Sequence, residues 1–484
     1  MLVSALVSGL VGASVVNAQL GSTSAQKPFS QEIQDGYNPL KHFGGLGPYT
    51  NRQSYGIERE TPEQCEVDQV FLLMRHGERY PDSFTAAPML SSLQKIQNSV
   101  KTPKGSLAFL NDWDNFLSDP NLFSQESFSG PYAGHLNAYN RGVDYRARYD
   151  HLWTGEQVPI FTSGYERVID TARKFGEGFF GYNYSTAAAI NIIPETPDQG
   201  ANSLTPTCFT PTNNVPSWIS VTAENLAPFK IFAAEADRLN EENPGLNLTN
   251  VDVYNLLQFA PFEFNVRKTS PWLDVFTRDA WETFGYANNL LYYYYAGPGV
   301  NTTAPIGSVY ANATLAKMNE GPSTGGKLFF NFVHDTNITP VLAALGLIIP
   351  DKDLPTTYVQ HDTIYQCSEF VPMGGHLLLE RMTCNATKQY DAGVYVRTIV
   401  NEAVLPHEDC QDGPGFSCSL QNYTAKLQST LPEYATACDV PAEYPQTLSF
   451  FWDYNTTTTF NYLKGDIPSQ LAGTTWDEKP VGTN

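Results

Sequence analysis

The sequence predicts an α/β fold with a buried, mainly parallel central sheet. Three short apolar runs, at residues 70–74, 158–162 and 327–333, each stop abruptly at polar residues. Such runs, bounded by turn residues, are typical of parallel strands that are covered on both faces. Helical patterns follow them, so a unit of strand, polar tip and helix occurs three times. In open sheets of this kind, ligands bind beyond the carboxyl ends of the strands.

The remaining segments add helices around this sheet. Residues 19–64 are rich in Gly, Pro and Ser and are expected to form an extended arm that packs on the surface. Apolar residues then recur at helical spacing over 90–100, 107–117 and 138–153, and the stretch 218–295 is mostly helical and aromatic. The tyrosine run 292–295 is interpreted as packing surface without chemistry. Residues 376–382 and 394–400 are expected to be strands of a hairpin.

Two helix starts can be predicted from capping patterns. Ser163 and Glu166 have the spacing of a capping box, which places Arg167 in the first turn of the following helix. A cation there opposes the helix dipole, so an anion is expected between the two, although a solvated arginine or a pair with Glu166 or Asp170 is the alternative. Thr339 is expected to cap a later helix that begins at Pro340.

Composition restricts the partners of the protein. The 484 residues are 42% hydrophobic and 16% charged, enough for a substantial core, and the net charge is −21 with a pI near 4.7. Nucleic acids and anionic membranes require a basic face, so neither is expected as a partner. Carboxylates have reference pKa values of about 4, so most of this negative charge disappears in acid.

The N-terminus predicts export. An apolar stretch over residues 2–16 is followed by Val16, Asn17 and Ala18, a cleavage pattern that defines residues 1–18 as a signal peptide and Gln19 as the mature start; the alternative is a buried N-terminal helix. No later segment has eighteen consecutive apolar residues, so no membrane span is expected. We therefore expect a secreted or cell-wall protein. Glycosylation is expected at seven sequons: Asn183, Asn247, Asn301, Asn312, Asn385, Asn422 and Asn455.

Seven cysteines agree with an oxidising compartment. They are scattered and include no CxxC pair, which favours disulfides over a metal site. The odd count leaves one thiol free or paired between chains. Spacing alone indicates only that Cys410 and Cys418 close a small loop.

The polar strand ends carry the candidate chemistry. If they meet at one edge of the sheet, they bring together three arginines, two histidines and one carboxylate: Arg75, Arg79, Arg167, His76, His334 and Asp335. Guanidinium groups match phosphoryl oxygens in pairs and stay charged at every relevant pH. A histidine can attack phosphorus only when neutral, and neighbouring arginines lower its pKa. His76 is therefore the candidate nucleophile and Asp335 the candidate acid.

Residues 75–81, with the sequence RHGERYP, and the downstream strand that ends in His-Asp resemble branch 2 of the histidine phosphatases, the histidine acid phosphatase family. The likeness is to its secreted yeast and fungal phytases and acid phosphatases. It extends from about Cys65 to Cys438 and includes GYERVIDTARKF around Arg167. It implies that His76 forms a phosphohistidine, that Asp335 donates a proton, and that Arg75, Arg79, Arg167 and His334 bind the phosphate.

The resemblance also implies an architecture. It is a three-layer α/β sandwich, with an inserted, smaller all-α cap. The α/β domain is expected at 19–83, 140–200 and 325–484, and the cap at 84–139 and 201–324. The implied disulfides are Cys65–Cys384, Cys208–Cys438 and Cys410–Cys418, with Cys367 unpaired. Leu273 stands where filamentous-fungal phytases have a cysteine, so the cap disulfide of those relatives is not expected.

The resulting expectation is a secreted acid phosphomonoesterase that needs no metal or other cofactor and hydrolyses phytate and other small anionic phosphomonoesters. The alternative within this class is a broad acid phosphatase that scavenges phosphate. An alternative from another class is a silent wall glycoprotein, and a serine hydrolase is disfavoured because no GxSxG motif occurs. Lys104 is a candidate for the substrate rim or a solvated lysine. Asn337 lies inside the expected pocket and should carry no glycan, and a homo-oligomer is left open.

Overall fold

The structure is a computed structural model that describes residues 37–212 and 230–454. The predicted signal peptide and Asn455 lie outside these residues. The strands are β1 (Cys65–Arg75), β2 (Val158–Ser163), β3 (Ala188–Ile193), β4 (Leu328–Val333), β5 (His376–Cys384), β6 (Gly393–Val400), β7 (Ala403–Val404) and β8 (Cys418–Ser419). They form one sheet in the order β3-β2-β4-β1-β5-β6-β7, with β8 paired to β6.

The predicted α/β class is confirmed. Strands β3, β2, β4 and β1 are parallel to one another, and β5 to β8 extend the sheet in antiparallel fashion, including the predicted hairpin of β5 and β6. The carboxyl ends of the four parallel strands therefore lie along one edge. Strand β3, which the apolar-run analysis did not identify, is the outermost of the four.

Helices surround the sheet in the described residues. The longer ones are α1 (Ser83–Ser99), α2 (Gly134–Tyr149), α3 (Glu166–Phe180), α5 (Lys230–Glu242), α6 (Asn250–Leu257), α7 (Phe259–Val266), α8 (Arg278–Ala296), α9 (Thr303–Glu320), α11 (Asp335–Ala344) and α13 (Leu420–Thr430). Single turns are α4 (Tyr184–Ala187), α10 (Pro322–Gly325), α12 (Cys367–Phe370), α14 (Tyr434–Ala437) and α15 (Phe450–Asp453). Within the described ranges, no helix is both long and apolar enough to cross a membrane.

Alternating side chains of β1 explain the layered packing. Val70, Leu72 and Met74 join an apolar cluster with residues of α2 and α3 on one face of the sheet. Phe71 and Leu73 join a second cluster, on the opposite face, that includes residues of α9 and α11. Both faces of the strand are buried, which is why its sequence is a continuous apolar run.

The ranges predicted for the cap contain α1 and α5 to α8, and the apolar side chains of these helices belong to the second cluster. The predicted boundary between residues 139 and 140 falls inside α2, which packs along α3. Helix α9, predicted within the cap, packs against α11 beside the sheet. The division into two domains stays a prediction, because one apolar cluster runs through both.

The prediction that the N-terminal arm packs on the surface was wrong for residues 37–50, most of which are buried, whereas residues 51–64 are exposed or half-buried. Phe43 is fully buried against Phe264 and Trp281, two aromatic side chains of the cap. Tyr49 is also buried. The apolar residues of the arm have no periodic spacing, so they gave no helix or strand signal. Their burial places the arm beneath the edge of the sheet at which the parallel strands end.

The cysteines pair as the resemblance implied. Disulfides join Cys65 to Cys384, Cys208 to Cys438 and Cys410 to Cys418, while Cys367 is a buried free thiol. Six predicted glycosylation sites are exposed, as glycosylation requires: Asn183, Asn247, Asn301, Asn312, Asn385 and Asn422. Glycosylation itself stays a prediction.

Candidate active site

The site lies where the four parallel strands end. Arg75 is the last residue of β1 and His76 follows it; His334 and Asp335 follow β4, and Arg167 lies just after β2. Strand β4 pairs with both β1 and β2, so the three strand ends are adjacent. The predicted convergence is therefore confirmed.

Arg75 is fixed by backbone groups and one carboxylate. Its guanidinium donates through Nη1 to the carbonyl oxygens of Gly45 and Val371, both at 2.6 Å. Its Nη2 lies 2.7 Å from Oδ2 of Asp335. The side chain is 1% exposed, so these partners hold it in one position. The buried N-terminal arm thus helps to orient the side chain of Arg75 through the carbonyl oxygen of Gly45.

His76 presents one particular nitrogen for chemistry. Its Nδ1 lies 2.9 Å from the carbonyl oxygen of Gly77, which can only accept a hydrogen bond. We therefore assign the proton to Nδ1, which leaves the lone pair on Nε2. The pKa of His76 is lowered well below its usual value, first by burial and then by Arg167, Arg75 and Arg79. Burial, which the sequence did not indicate at this residue, is thus a larger cause than the predicted effect of the arginines.

Gly77 permits the tight packing of this loop. A Cβ atom at Gly77 would lie 2.0 Å from Oε1 of Glu126 and 2.9 Å from the Cα of Gly134. Its backbone N–H donates to Oγ1 of Thr171 at 2.8 Å, which ties the loop to α3. Any side chain here would collide with Glu126 and with the start of α2 at Gly134 and would displace the loop that carries His76.

Glu78 adds a buried carboxyl beneath the loop. Its Oε1 accepts the backbone N–H of Tyr49 at 2.8 Å, and burial raises its pKa to about 7. The folded protein therefore keeps this group protonated in acid, where the unfolded chain would ionise it above its ordinary value near 4.5.

This carboxyl predicts a loss of stability towards neutral pH. Between about pH 4.5 and 7 the folded state binds a proton that the unfolded state has released, so the free energy of unfolding falls as pH rises, by up to about 3 kcal/mol. Glu78→Gln should flatten this part of the curve, measured as the thermal unfolding midpoint against pH. Glu66→Gln, at an exposed position, is the control, and an unchanged slope in Glu78→Gln would contradict the assignment.

Arg79 is the second arginine at the end of β1. It is 8% exposed and donates through Nη1 to the carbonyl oxygen of Tyr80 at 2.8 Å. Its Nη2 lies 3.4 Å from Oδ2 of Asp82, the N-cap residue of α1. Burial lowers the pKa of Arg79, with Arg75 acting in the same direction.

Arg167 lies at the second position of α3, as predicted, although the N-cap residue is Tyr165 rather than Ser163. Its guanidinium stacks over the ring of Tyr165 at 4.7 Å, and Nη2 lies 3.4 Å from Nδ1 of His334. Burial and then Arg79 lower its pKa to about 9. Asp170, one of the alternative partners, pairs with Arg173 at 3.0 Å.

His334 is held between a cation and an anion. Its Nε2 lies 3.1 Å from Oε1 of Glu195, and its Nδ1 faces Arg167. An arginine can only donate, so Nδ1 accepts and Nε2–H donates to the carboxylate. His334 thereby helps to position Arg167. Glu195 follows β3, and its pKa is lowered by His334 and Arg167 despite its burial.

The helix after β4 begins earlier than predicted. Helix α11 starts at Asp335 with His334 as its N-cap residue, so Thr339 and Pro340 lie inside it. The backbone N–H of His334 donates to Oδ1 of Asn337 at 3.2 Å, which closes the start of the helix five residues before the proline. Pro340 lies past the first turn, so the helix lacks the backbone N–H that would donate to the carbonyl oxygen of Thr336. The consequence is that Asp335 is fixed by helical backbone.

Asp335 accepts three hydrogen bonds. The backbone N–H of Thr336 donates to Oδ1 at 2.8 Å, while Oδ2 receives Arg75 and, at 2.5 Å, the hydroxyl of Tyr292. These donors outweigh burial and lower the pKa of Asp335 to about 2. Tyr292 belongs to the tyrosine run to which we assigned packing only, and that interpretation was wrong for this member.

A model of the histidine phosphatase superfamily, branch 2, matches residues 66–401. The chain belongs to this superfamily. It is 40% identical to the acid phosphatase PHO1 of Komagataella pastoris over 88% of this chain and 92% of that protein. It is 38% identical to the phytase PHO112 of Candida albicans over 87% of this chain and 91% of that protein.

The solved structures agree on the fold of this histidine phosphatase. The crystal structure of the phytase from D. castellii superposes with a TM-score of 0.82 at 33% identity, covering 89% of this chain and 93% of that one. A multiple inositol polyphosphate phosphatase of Bifidobacterium longum shares the fold at 14% identity, with a TM-score of 0.59 over 80% of this chain and 97% of that one.

One predicted site residue of this histidine phosphatase, Lys104, stays untested, and one residue of the site, Glu195, was not predicted. Lys104 is exposed, and its backbone bonds with Asn243 beside α5; no contact of its side chain with the catalytic group is described, so its rim role stays a prediction. Glu195 was missed, although the apolar run 188–193 before Pro194 and Glu195 is the same strand-and-polar-tip signal that identified the other ends.

Proposed function

We propose that this histidine phosphatase hydrolyses phosphomonoesters in acid through a phosphohistidine on His76, with phytate among its substrates. The observation that supports this best is a neutral, buried imidazole on which Arg167, Arg75 and Arg79 all act electrostatically. Relatives named acid phosphatase and phytase, at 40% and 38% identity, support the substrate class.

Repulsion among the arginines favours an anion at this place. Arg79 lowers the pKa of Arg167, and Arg75 lowers that of Arg79, so each cation is destabilised by the next. A phosphoryl group among them offsets this repulsion, and bidentate guanidinium contacts strengthen as charge develops on the transferring oxygens.

The first chemical step follows from the placed atoms. Nε2 of His76 attacks phosphorus, the P–N bond forms, and the P–O bond to the alcohol breaks. Asp335 passes a proton to the departing oxygen, so the alcohol leaves neutral and Asp335 becomes a carboxylate. In the second step that carboxylate takes a proton from water, which attacks phosphorus, breaks the P–N bond and releases inorganic phosphate.

Substrate binding favours the protonated form of Asp335, the proposed acid. Arg75 is the leading cause that lowers the pKa of Asp335 to about 2. A phosphomonoester anion bound at Arg75 offsets that positive charge and raises the pKa, so Asp335 takes up a proton when substrate is present. Water alone in the pocket leaves the acid ionised.

The preference between phytate and simple esters is testable by steady-state kinetics. We expect kcat/KM for phytate to exceed that for p-nitrophenyl phosphate by at least about tenfold at acid pH, because one phosphate of phytate is held by the arginines while others contact the rim. Similar efficiencies would contradict a dedicated phytase and favour the broad acid phosphatase, which the likeness to PHO1 supports. Lys104→Ala tests whether Lys104 contacts the substrate at the rim or is only a solvated lysine.

A further inference from the structure

Tyr292 connects the cap to the catalytic acid. It lies on α8, is 8% exposed, and donates its hydroxyl to Oδ2 of Asp335 at 2.5 Å. The same oxygen receives Nη2 of Arg75, the last residue of β1, at 2.7 Å. Two donors from separate layers therefore converge on one oxygen of the acid.

A count of lone pairs identifies the oxygen that can carry the transferable proton. Each carboxylate oxygen has two acceptor positions. At Oδ2 both are taken, by Tyr292 and Arg75, whereas Oδ1 receives only the backbone N–H of Thr336 at 2.8 Å among the described donors. A proton on Oδ2 would displace one of two short hydrogen bonds, and a proton on Oδ1 displaces none.

We propose that Tyr292 is a positioning residue that directs the acid proton of Asp335 to Oδ1. By occupying Oδ2 it orients the carboxyl so that Oδ1 faces the leaving group. The proposal rests on the proposed function, because it concerns the proton that the departing alcohol receives. As the P–O bond breaks, that proton moves from Oδ1 to the alcohol oxygen, and Tyr292 keeps its own proton throughout.

The phenol is suited to this role. Burial, and next the charge of Asp335, raise the pKa of Tyr292 well above its usual value. The hydroxyl therefore stays protonated over the whole working range and always donates to Oδ2. It does not compete with Asp335 as the acid.

The neighbouring residue offers a matched control. Tyr293 lies on the same helix, is 3% exposed, and donates its hydroxyl to Oδ1 of Asp353 at 2.8 Å. Tyr292→Phe and Tyr293→Phe thus each delete one buried hydroxyl bonded to a carboxylate. Of these two hydroxyls, only that of Tyr292 contacts Asp335, the proposed acid.

The test is a leaving-group series with p-nitrophenyl phosphate and simple alkyl monophosphates. Alkoxides need a proton in order to leave and p-nitrophenolate hardly does, so Tyr292→Phe should lower kcat for alkyl esters by about 10- to 100-fold and for p-nitrophenyl phosphate by less than about 3-fold. Tyr293→Phe should change neither ratio. In an Asp335→Asn background, Tyr292→Phe should add no further discrimination between leaving groups.

The outcomes separate the inference from the proposed function. Equal losses for both substrates in Tyr292→Phe, or the same pattern in Tyr293→Phe, would overturn the positioning role while the parent enzyme remains active. Failure of the parent enzyme to hydrolyse either ester would overturn the proposed function and the inference with it. Thermal unfolding of each variant identifies any loss that is caused by unfolding.

Discussion

Replacing His76 with alanine is expected to abolish phosphatase activity, with kcat reduced by at least about 10⁴-fold. The reason is that Nε2 of His76 forms the covalent bond in the proposed mechanism, whereas both ring nitrogens of His334, the other histidine of the described cleft, are engaged by Arg167 and Glu195. Rapid acid quench with radiolabelled substrate should trap phosphate on the parent enzyme and none on His76→Ala.

His361→Ala is the control for this experiment. His361 is 64% exposed and pairs with Glu282 at 3.3 Å, away from the strand ends, so its loss should leave both turnover and labelling unchanged. Labelling that persists in His76→Ala would show that the nucleophile is misassigned. Binding of inorganic phosphate by His76→Ala would show that the arginine pocket survives the substitution.

Replacing Asp335 with asparagine is expected to have the second largest effect. The amide cannot donate an acidic proton, so kcat for alkyl phosphates should fall by about 10²- to 10⁴-fold and less for p-nitrophenyl phosphate. With p-nitrophenyl phosphate as substrate, phosphoryl transfer to His76 still takes place. The later attack of water on the phosphohistidine, however, lacks its general base. Phosphohistidine should therefore accumulate, visible as a burst of p-nitrophenol followed by slow turnover.

Asp353→Asn is the matched control, because Asp353 accepts the hydroxyl of Tyr293 at 2.8 Å and lies outside the site. It should show no burst and no dependence on the leaving group. Equal losses for alkyl and aryl esters in Asp335→Asn would exclude Asp335 as the proton donor.

Activity in acid depends on how the site is buried. A free histidine would be mostly protonated below about pH 6, whereas burial and the arginines keep His76 neutral well below that pH. Arg75 also holds the pKa of Asp335 low, so in the proposed mechanism Asp335 takes up its proton only when a bound phosphate anion offsets that charge. Burial and the arginines thus keep His76 in the form that its proposed role requires, whereas Asp335 reaches its proton-donating form through substrate binding.

The sequence alone determined the three strand ends and the polar residues that follow them. Continuous apolar runs predict buried strands because both faces of such strands are covered, and the residues that follow them must lie at one edge. Arg75, His76, Arg79, Arg167, His334 and Asp335 could all be identified this way. The disulfide pairs came from the family resemblance, since spacing does not determine connectivity.

The tertiary structure decided the contacts that tune these groups. Tyr292 and Asp335 are 43 residues apart, and Glu195 and His334 are 139 apart, so no local pattern joins them. Glu195 had a usable signal in the run before it, but Tyr292 had none: a tyrosine on a helical face has the same pattern whether it packs or donates. Periodicity reports which face of an element is buried. Which partner a buried polar atom finds there depends on how distant elements pack, and that is fixed only by the fold.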